Sequence, residues 1–161
     1  MKGSEGYSCR AIGIAHTPFS DPTATPIQSV FATARGTVEV YPEFEAGLPA
    51  LAGFSHIILT YRFHRAAGEE LAERPLIDGA EPHGIFATRH FNRPNLLGIS
   101  VVRIVGIEGG LITVEGVDLL DGTPILDIKP YIPAFDSIPD AKPGWVTPGH
   151  VEAIRRQSGS F

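Results

Sequence analysis

The stretch that decides the fold is His56-Ile57-Ile58-Leu59-Thr60-Tyr61-Arg62-Phe63-His64. It is rich in β-branched and aromatic residues, and glycines at positions 53 and 68 bound it on either side. Residues of these types favour a strand packed on a pleated sheet. We therefore predict a β-strand over residues 56–64, the clearest strand in the chain.

Shorter segments of the same character lie on both sides of this strand. They predict further strands over residues 10–16, 37–41, 84–89, 99–107, 111–117 and 125–131. Residues 108–110, Glu-Gly-Gly, join two of them as a hairpin turn, with glycine where φ is positive. Because no strand alternates with a long helix, a Rossmann fold is excluded. The pattern favours a mainly β fold, a barrel or a sandwich.

Glycine and proline divide the chain into these short segments. There are 18 glycines and 14 prolines, dispersed along the sequence. Pro18, Pro22 and Pro26 predict an extended loop without a helix over residues 17–28, because proline disrupts helix interiors. Residues 42–53 read as a turn-rich connection with one helical turn around 43–46, and residues 68–73 as another helical turn before Pro75.

The last part of the chain predicts a helix. A proline-rich stretch over residues 133–148 leads into it. Thr147 suits the N-cap, Pro148 the first helical position, and Arg155 and Arg156 the negative end of the helix dipole. We predict a helix over residues 147–157.

Length, charge and cysteine content exclude several classes of protein. The 161 residues fit one domain over residues 1–161, with its core at about 10–141. The net charge of −5 argues against a broad nucleic-acid coat, and the single Cys9 excludes an internal disulfide and a cysteine zinc cage. No apolar run is long enough to span a membrane. Residues 1–6 contain no apolar signal region, so a cytoplasmic protein is expected.

The glycine and histidine patterns predict neither a nucleotide loop nor a metal site. The glycines at 106–110 join two strands and open no helix, unlike the loop of a class I methyltransferase. No histidine pair has helical i,i+4 spacing. His56 and His64 share a strand but lie about 26 Å apart at the rise of a strand, too far to share a metal ion.

Two polar segments carry candidate chemistry. Residues 84–100 hold Arg89, His90, Asn92, Arg93 and Asn95 within seven positions. A solvated loop explains these residues as well as a ligand site does, although guanidinium groups suit bidentate binding of a carboxylate or phosphate. The second segment spans residues 118–131 and places acid, base and phenol groups between apolar positions; they are Asp118, Asp127, Lys129 and Tyr131.

The motifs in these segments resemble those of the TsaA-like (YaeB-like) family. The match rests on three stretches: Gly84-Ile85-Phe86-Ala87-Thr88-Arg89, Arg93-Pro94-Asn95, and Asp121-Gly122-Thr123-Pro124-Ile125-Leu126-Asp127-Ile128-Lys129-Pro130-Tyr131. It extends over about residues 12–141. The best-understood members are S-adenosylmethionine-dependent methyltransferases that act on N6 of threonylcarbamoyladenosine in the tRNA anticodon loop. The resemblance implies the same activity here.

The resemblance also implies a small β-barrel, a homodimer, and a cofactor site near the subunit interface. Matched position by position, the implied S-adenosylmethionine contacts are Gln28, Ser29, Val30, Phe63, His64, Arg89, Ile99, Gly122, Thr123, Pro124 and Ile125. Removal of the acceptor's proton needs a base, and the candidates are Asp127, Lys129 and Tyr131. Arg93 and Asn95 are assigned to the substrate or the interface. Phe91, amid polar neighbours, is covered either by a partner subunit or by its own loop.

Two alternatives to the tRNA reading stay open. The chain differs from the family's usual central motif at His90, Phe91, Asn92 and Leu96, and residues 20–27 carry no positive charge. Fewer cations weaken phosphate binding. The alternatives are a methyltransferase acting on a small metabolite and a non-catalytic regulatory module that binds S-adenosylmethionine.

Overall fold

A closed six-stranded antiparallel barrel forms the centre of the molecule. The structure is a computed structural model, and it describes residues 5–68, 70–73 and 81–160. The strands are β1 Gly13–His16, β2 Arg35–Val40, β3 His56–Arg62, β4 Ala72–Glu73, β5 His83–Gly84, β6 Leu97–Glu108, β7 Leu111–Glu115 and β8 Pro124–Pro130. The barrel order is β1-β2-β7-β6-β3-β8, and β8 pairs with β1 to close it. Of the two architectures that the strand pattern allowed, the barrel is confirmed.

Strand alternation fills the barrel interior with apolar side chains. In β3, the side chains of Ile57, Leu59 and Tyr61 point inward and are at most 5% exposed. Their neighbours Ile58 and Thr60 lie on the outer wall, as the two-residue period of a strand requires. The prediction for residues 56–64 is thus confirmed, with the regular strand ending at Arg62.

The region between β3 and β6 differs from its prediction. Residues 84–89 were expected to form a strand, but β5 ends at Gly84 and a single 3-10 turn follows at Ile85–Ala87. The turn buries the side chain of Ile85. The backbone N–H of the same residue donates to the carbonyl of Leu71. The helical turn predicted over residues 68–73 is also wrong, because Ala72–Glu73 pairs with β5; residue 69 lies outside the described residues.

Short helical turns occupy most of the other connections. The loop over residues 17–28 is extended except for one 3-10 turn, Pro22–Ala24, which begins at a proline because the first helical position needs no N–H partner. Further 3-10 turns are Ser29–Phe31, Pro42–Gly47 and Leu51–Gly53. The turn expected around residues 43–46 is confirmed.

Two α-helices follow the barrel: α1, Pro133–Asp136, and α2, Pro148–Ser158. Thr147 caps α2 as predicted, because its hydroxyl accepts the N–H of His150 while the His150 ring accepts the N–H of Thr147. No helix in the described ranges is long and apolar enough to cross a membrane. Residues 1–4, part of the segment used to predict the cytoplasmic location, lie outside the described residues.

Candidate functional site

Three connections leave the barrel at the same end. Because all neighbouring strands are antiparallel, the β1–β2, β3–β6 and β7–β8 connections open together, and the β2–β3 and β6–β7 connections open at the opposite end. Two hydrogen bonds tie the three together: Arg65 Nη1 donates to the carbonyl of Ser20 (2.5 Å), and the Asp121 N–H to the carbonyl of Phe19 (2.7 Å). Most of the predicted cofactor contacts lie on these connections.

Arg89 and Gln28 meet at this end of the barrel. Arg89 Nη1 donates to Gln28 Oε1 at 2.8 Å, although the two residues are 61 positions apart. A guanidinium carries five N–H donors, so this bond orients the group while leaving donors for a ligand carboxylate. The pair is exposed and therefore reachable from solvent.

A polar network lies beneath Arg89. Ser100 Oγ donates to Asp118 Oδ1 at 2.5 Å and lies 3.1 Å from the hydroxyl of Tyr61. The backbone N–H of Ser29 acts on Asp118 as well and lowers its pKa. Burial raises the pKa of Asp118 to about 7, against the opposing effects of its hydrogen bonds and the Arg89 charge. Burial, assisted by the Asp118 charge, raises the pKa of Tyr61 as well.

Aromatic rings form the wall next to this network. The ring of Phe63 packs edge-on against Tyr61 (5.4 Å between centroids) and Phe91 (6.3 Å). A side chain at Gly98 would collide with Tyr61 and Phe63, so glycine is needed for this packing. Phe91 is half-buried and also contacts the ring of His90, which favours cover by its own loop over cover by a partner.

His64 faces the glycine turn that precedes β8. Gly122 adopts a positive φ of 80°, and a Cβ there would lie 3.9 Å from His64 Nε2. Partial burial and the Arg65 charge lower the pKa of His64, while Asp121 opposes the shift. His64 and Gly122 thus face each other at contact distance, and the positive φ at position 122 favours glycine there.

The remaining predicted cofactor contacts differ in what they can offer. Thr123 and Ile125 are buried, at 3% and 0% exposure, so their side chains belong to the fold. The Thr123 hydroxyl donates to the carbonyl of Leu120, and its own carbonyl accepts the N–H of Ala15. Pro124, partly buried, begins β8 beside them.

Two other predicted cofactor contacts, Val30 and Ile99, present apolar side chains to solvent. Val30 is 75% exposed in the turn that follows Gln28. Ile99 is 56% exposed and lies on the outer wall of β6, because its neighbours Gly98 and Ser100 are buried. Both offer an apolar surface to a ligand or a partner.

The three candidate bases do not join the Arg89 cluster within one chain. Asp127 and Lys129 form an ion pair of 2.7 Å on the outer wall of β8, half and two-thirds exposed. Tyr131 follows the far end of β8, where its ring packs edge-on against His56. At the rise of a strand, Gly122 and Tyr131 are about 30 Å apart along the chain.

The two residues assigned to substrate or interface lie in the loop after Arg89. Arg93 Nη1 donates to the carbonyls of Thr88 (3.0 Å) and His90 (3.1 Å), so its guanidinium holds the loop together. Asn95 is exposed two residues further on. Among the described residues, no three His, Cys, Asp or Glu side chains are grouped as metal ligands would be.

Sequence reasoning missed the polar network and the contribution of α2. The sequence marked Asp118 as a candidate acid, but no motif predicted its interaction with Arg89. The available signal was Ser100, a hydroxyl on the inward face of β6 between Gly98 and Val102. The Ser158 hydroxyl of α2 accepts the N–H groups of Ile27 (3.1 Å) and Gln28 (3.2 Å), and no sequence signal links positions so far apart.

This architecture defines a closed β-barrel protein in which loops at one barrel end bring Arg89 and Gln28 together. A family model for the tRNA-methyltransferase O N-terminal domain matches residues 14–137. The chain therefore belongs to that family, which confirms the resemblance drawn from its motifs.

Individual relatives agree with this assignment. A probable S-adenosyl-L-methionine-binding protein of Pyrococcus abyssi is 51% identical over 94% of this chain and 83% of its own length. A tRNA (adenine(37)-N6)-methyltransferase of Eikenella corrodens is 47% identical over 57% of this chain and 56% of its own length. The crystal structure of TrmO from Pseudomonas aeruginosa superposes with a TM-score of 0.75 at 40% identity, covering 89% of this chain and 64% of that one. The chain thus spans under two thirds of two of these three proteins.

Proposed function

We propose that the protein is an S-adenosylmethionine-dependent methyltransferase that modifies N6 of threonylcarbamoyladenosine in the tRNA anticodon loop. The observation that carries the proposal is the Arg89–Gln28 pair at the barrel end. Its guanidinium suits the carboxylate of an amino-acid-like ligand. The names of the Pyrococcus and Eikenella relatives, an S-adenosyl-L-methionine-binding protein and a tRNA adenine methyltransferase, support the cofactor and the substrate. A tRNA substrate implies action in the cytoplasm.

The residues present fit this cofactor. When bound, S-adenosylmethionine supplies a methyl group on a positively charged sulfur. Arg89 would hold the carboxylate, and Phe63 and His64 would offer ring surfaces beside the turn at Gly122. The protein's main catalytic task is then positioning, because transfer needs the acceptor nitrogen in line at about 3 Å.

We also propose that the protein acts as a homodimer. Leu97 and Ile99 are 43% and 56% exposed on the outer wall of β6, and Val101 follows them on the same face. In the strand register Ile99 lies beside Thr60, and Asp127 lies on the other side of Thr60. A second copy docked on this wall would cover apolar surface next to the candidate bases.

A non-catalytic S-adenosylmethionine-binding module is the second candidate. It is favoured by the contacts of the candidate bases: Asp127 and Lys129 pair with each other and Tyr131 packs against His56, and none of these contacts involves Arg89. The two candidates share the cofactor and differ in methyl transfer.

Two measurements test these proposals. A thermal melt should show stabilisation of about 2.7 kcal/mol at a hundredfold excess of S-adenosylmethionine over Kd. A melting curve unchanged at millimolar cofactor would remove both candidates. Mass spectrometry of tRNA nucleosides from cells lacking the protein should show loss of methylated threonylcarbamoyladenosine. Unchanged levels, together with cofactor binding, would leave the regulatory module or a small-metabolite acceptor.

A further inference from the structure

Helix α2 contacts the loop that carries Gln28. The Ser158 side chain is fully buried, and its oxygen accepts the backbone N–H groups of both Ile27 and Gln28. One turn earlier in α2, the guanidinium of Arg155 lies over the ring of Phe31, 5.0 Å from its centroid. The helix therefore holds both ends of the segment from Ile27 to Phe31.

The opposite side of the same segment is held by the barrel. The Ser29 carbonyl lies next to Gly116, where a Cβ would approach it to 3.1 Å, and the Ser29 N–H acts on the carboxylate of Asp118. The segment is thus fixed from two sides, and Gln28 stands between them. Its side chain in turn accepts from Arg89 at 2.8 Å.

We propose that α2 sets the affinity of the cofactor site, with Ser158 and Arg155 as positioning residues that act through Gln28. The inference rests on the proposed function, since it takes Arg89 and Gln28 as the cofactor grip. The helix lies beyond residues 14–137, the part of the chain that matches the family model.

The physical reason is the cost of ordering a loop. Without Ser158, the N–H groups of Ile27 and Gln28 lose their acceptor, and the segment samples other conformations. Gln28 then leaves Arg89 for part of the time, and binding has to restore the pair. A binding-competent state that is only partly populated weakens the apparent affinity by that fraction.

The first test compares Ser158→Ala with Ser160→Ala. Ser160 is exposed and donates to the carbonyl of Gln157, so it controls for loss of a hydroxyl at the same helix end. In the cofactor-free protein, NMR should show faster amide hydrogen exchange at Ile27 and Gln28 in Ser158→Ala only. Calorimetry should show a Kd for S-adenosylmethionine raised roughly five- to thirtyfold, the range for one or two lost hydrogen bonds.

A second pair guards against failure of Ser158→Ala to fold. Arg155 and Arg156 each pair weakly with Glu152, at 3.9 and 3.7 Å, but only Arg155 lies over Phe31 in the structure. Arg155→Ala should raise Kd by roughly three- to tenfold, a loss typical of one cation–π contact, and Arg156→Ala should not. At saturating cofactor, kcat should remain within twofold for both, since a positioning role acts on the cofactor KM.

The outcomes separate this inference from the proposed function. Equal Kd values for Arg155→Ala and Arg156→Ala, or for Ser158→Ala and the wild-type protein, overturn the inference while leaving the function intact. Unchanged exchange at Ile27 and Gln28 overturns it too. If the wild-type protein binds no S-adenosylmethionine, the proposed function fails. The role of α2 in cofactor affinity then fails as well, even if hydrogen exchange shows the contact of Ser158 with Ile27 and Gln28.

Discussion

Arg89 and Arg93 are only four residues apart, yet they have different surroundings. The Arg89 guanidinium is exposed and bonded to a side chain, whereas Arg93 is bonded to two backbone carbonyls of its own loop. Arg89→Ala is expected to weaken S-adenosylmethionine binding by about ten- to a hundredfold, the effect of losing one charge-assisted pair. Isothermal calorimetry measures it directly.

The matched variant is Arg93→Ala. It should change the cofactor Kd less than Arg89→Ala and lower the melting temperature more, because the carbonyls of Thr88 and His90 lose their donor. If Arg93→Ala has the larger effect on Kd, the roles assigned to the two arginines are reversed.

Asp118 predicts a pH dependence of stability. Its pKa is about 7 in the folded protein, against 3.8 for the ordinary side chain, so the folded state holds a proton that the unfolded state releases. The free energy of unfolding should therefore fall as pH rises from about 4 to about 7, by about 1.4 kcal/mol per unit of pKa difference at most. Chemical denaturation at pH 5 and pH 8 measures this fall.

In Asp118→Asn the free energy of unfolding should change little between about pH 4 and pH 7, because the amide carries no titrating proton. The amide oxygen still accepts from Ser100. Asp140→Asn, at an exposed position, serves as the control and should keep the wild-type slope. If the unfolding free energy of Asp118→Asn depends on pH as steeply as that of the wild-type protein, another group causes the dependence.

At the scale of elements, the turn before Leu51–Gly53 contains a strained residue. Ala50 has a φ of 73°, in the left-handed region, and is exposed to solvent. Since this conformation costs a residue with a Cβ about 1–2 kcal/mol, Ala50→Gly should raise the free energy of unfolding by about 1 kcal/mol. Urea denaturation is the measurement.

The control for this substitution lies two residues further on. Ala52 is exposed inside the 3-10 turn, where its backbone needs no glycine. Ala52→Gly should lower stability by about 0.5–1 kcal/mol because glycine loses more entropy on folding. If Ala50→Gly and Ala52→Gly change the free energy of unfolding in the same direction, the φ of residue 50 does not explain the effect.

Most of the fold could be read from the sequence because strands and caps are local. β-Branched and aromatic residues between two glycines marked the strand through Leu59, and Thr147 with Pro148 marked the start of α2. The segment after Gly84 could not be read correctly. Its apolar residues suit a strand, but Ile85 is buried in a turn and its N–H donates to the Leu71 carbonyl, and that contact is not local.

For the candidate site, too, the motifs identified individual residues but not the long-range contacts between them. The motifs identified Gln28 and Arg89 through the family they resemble, and the structure brings these two side chains into contact. Spacing alone could not have found the contact of Ser158 with Ile27 across 131 positions. Likewise, the motif that contains Asp127 gave no indication that this residue lies on the outer wall of β8, paired with Lys129.

The whole molecule is expected to be a dimer through the outer wall of β6. Light scattering at tens of micromolar should give twice the 17.3 kDa of one chain. Ile99→Glu should shift the mass to that of a monomer, because a charge would be buried at the interface. Phe135→Glu, at an exposed apolar position in α1, should leave the dimer intact. A wild-type mass near 17 kDa would exclude the dimer.

Closure of the barrel by β1 and β8 also constrains how the chain folds. Gly13 pairs with Ile125 and Ile14 with Pro124, so the first strand finds its second neighbour more than a hundred residues later. Contacts of such long separation slow folding, because the loop entropy is lost before the pairing is gained. During synthesis, β1 can pair with β2 early, but the cylinder cannot close until the ribosome has released β8. Until then the edges of β1 and β3 lack their neighbour β8, and this nascent stage should be the one most prone to aggregation.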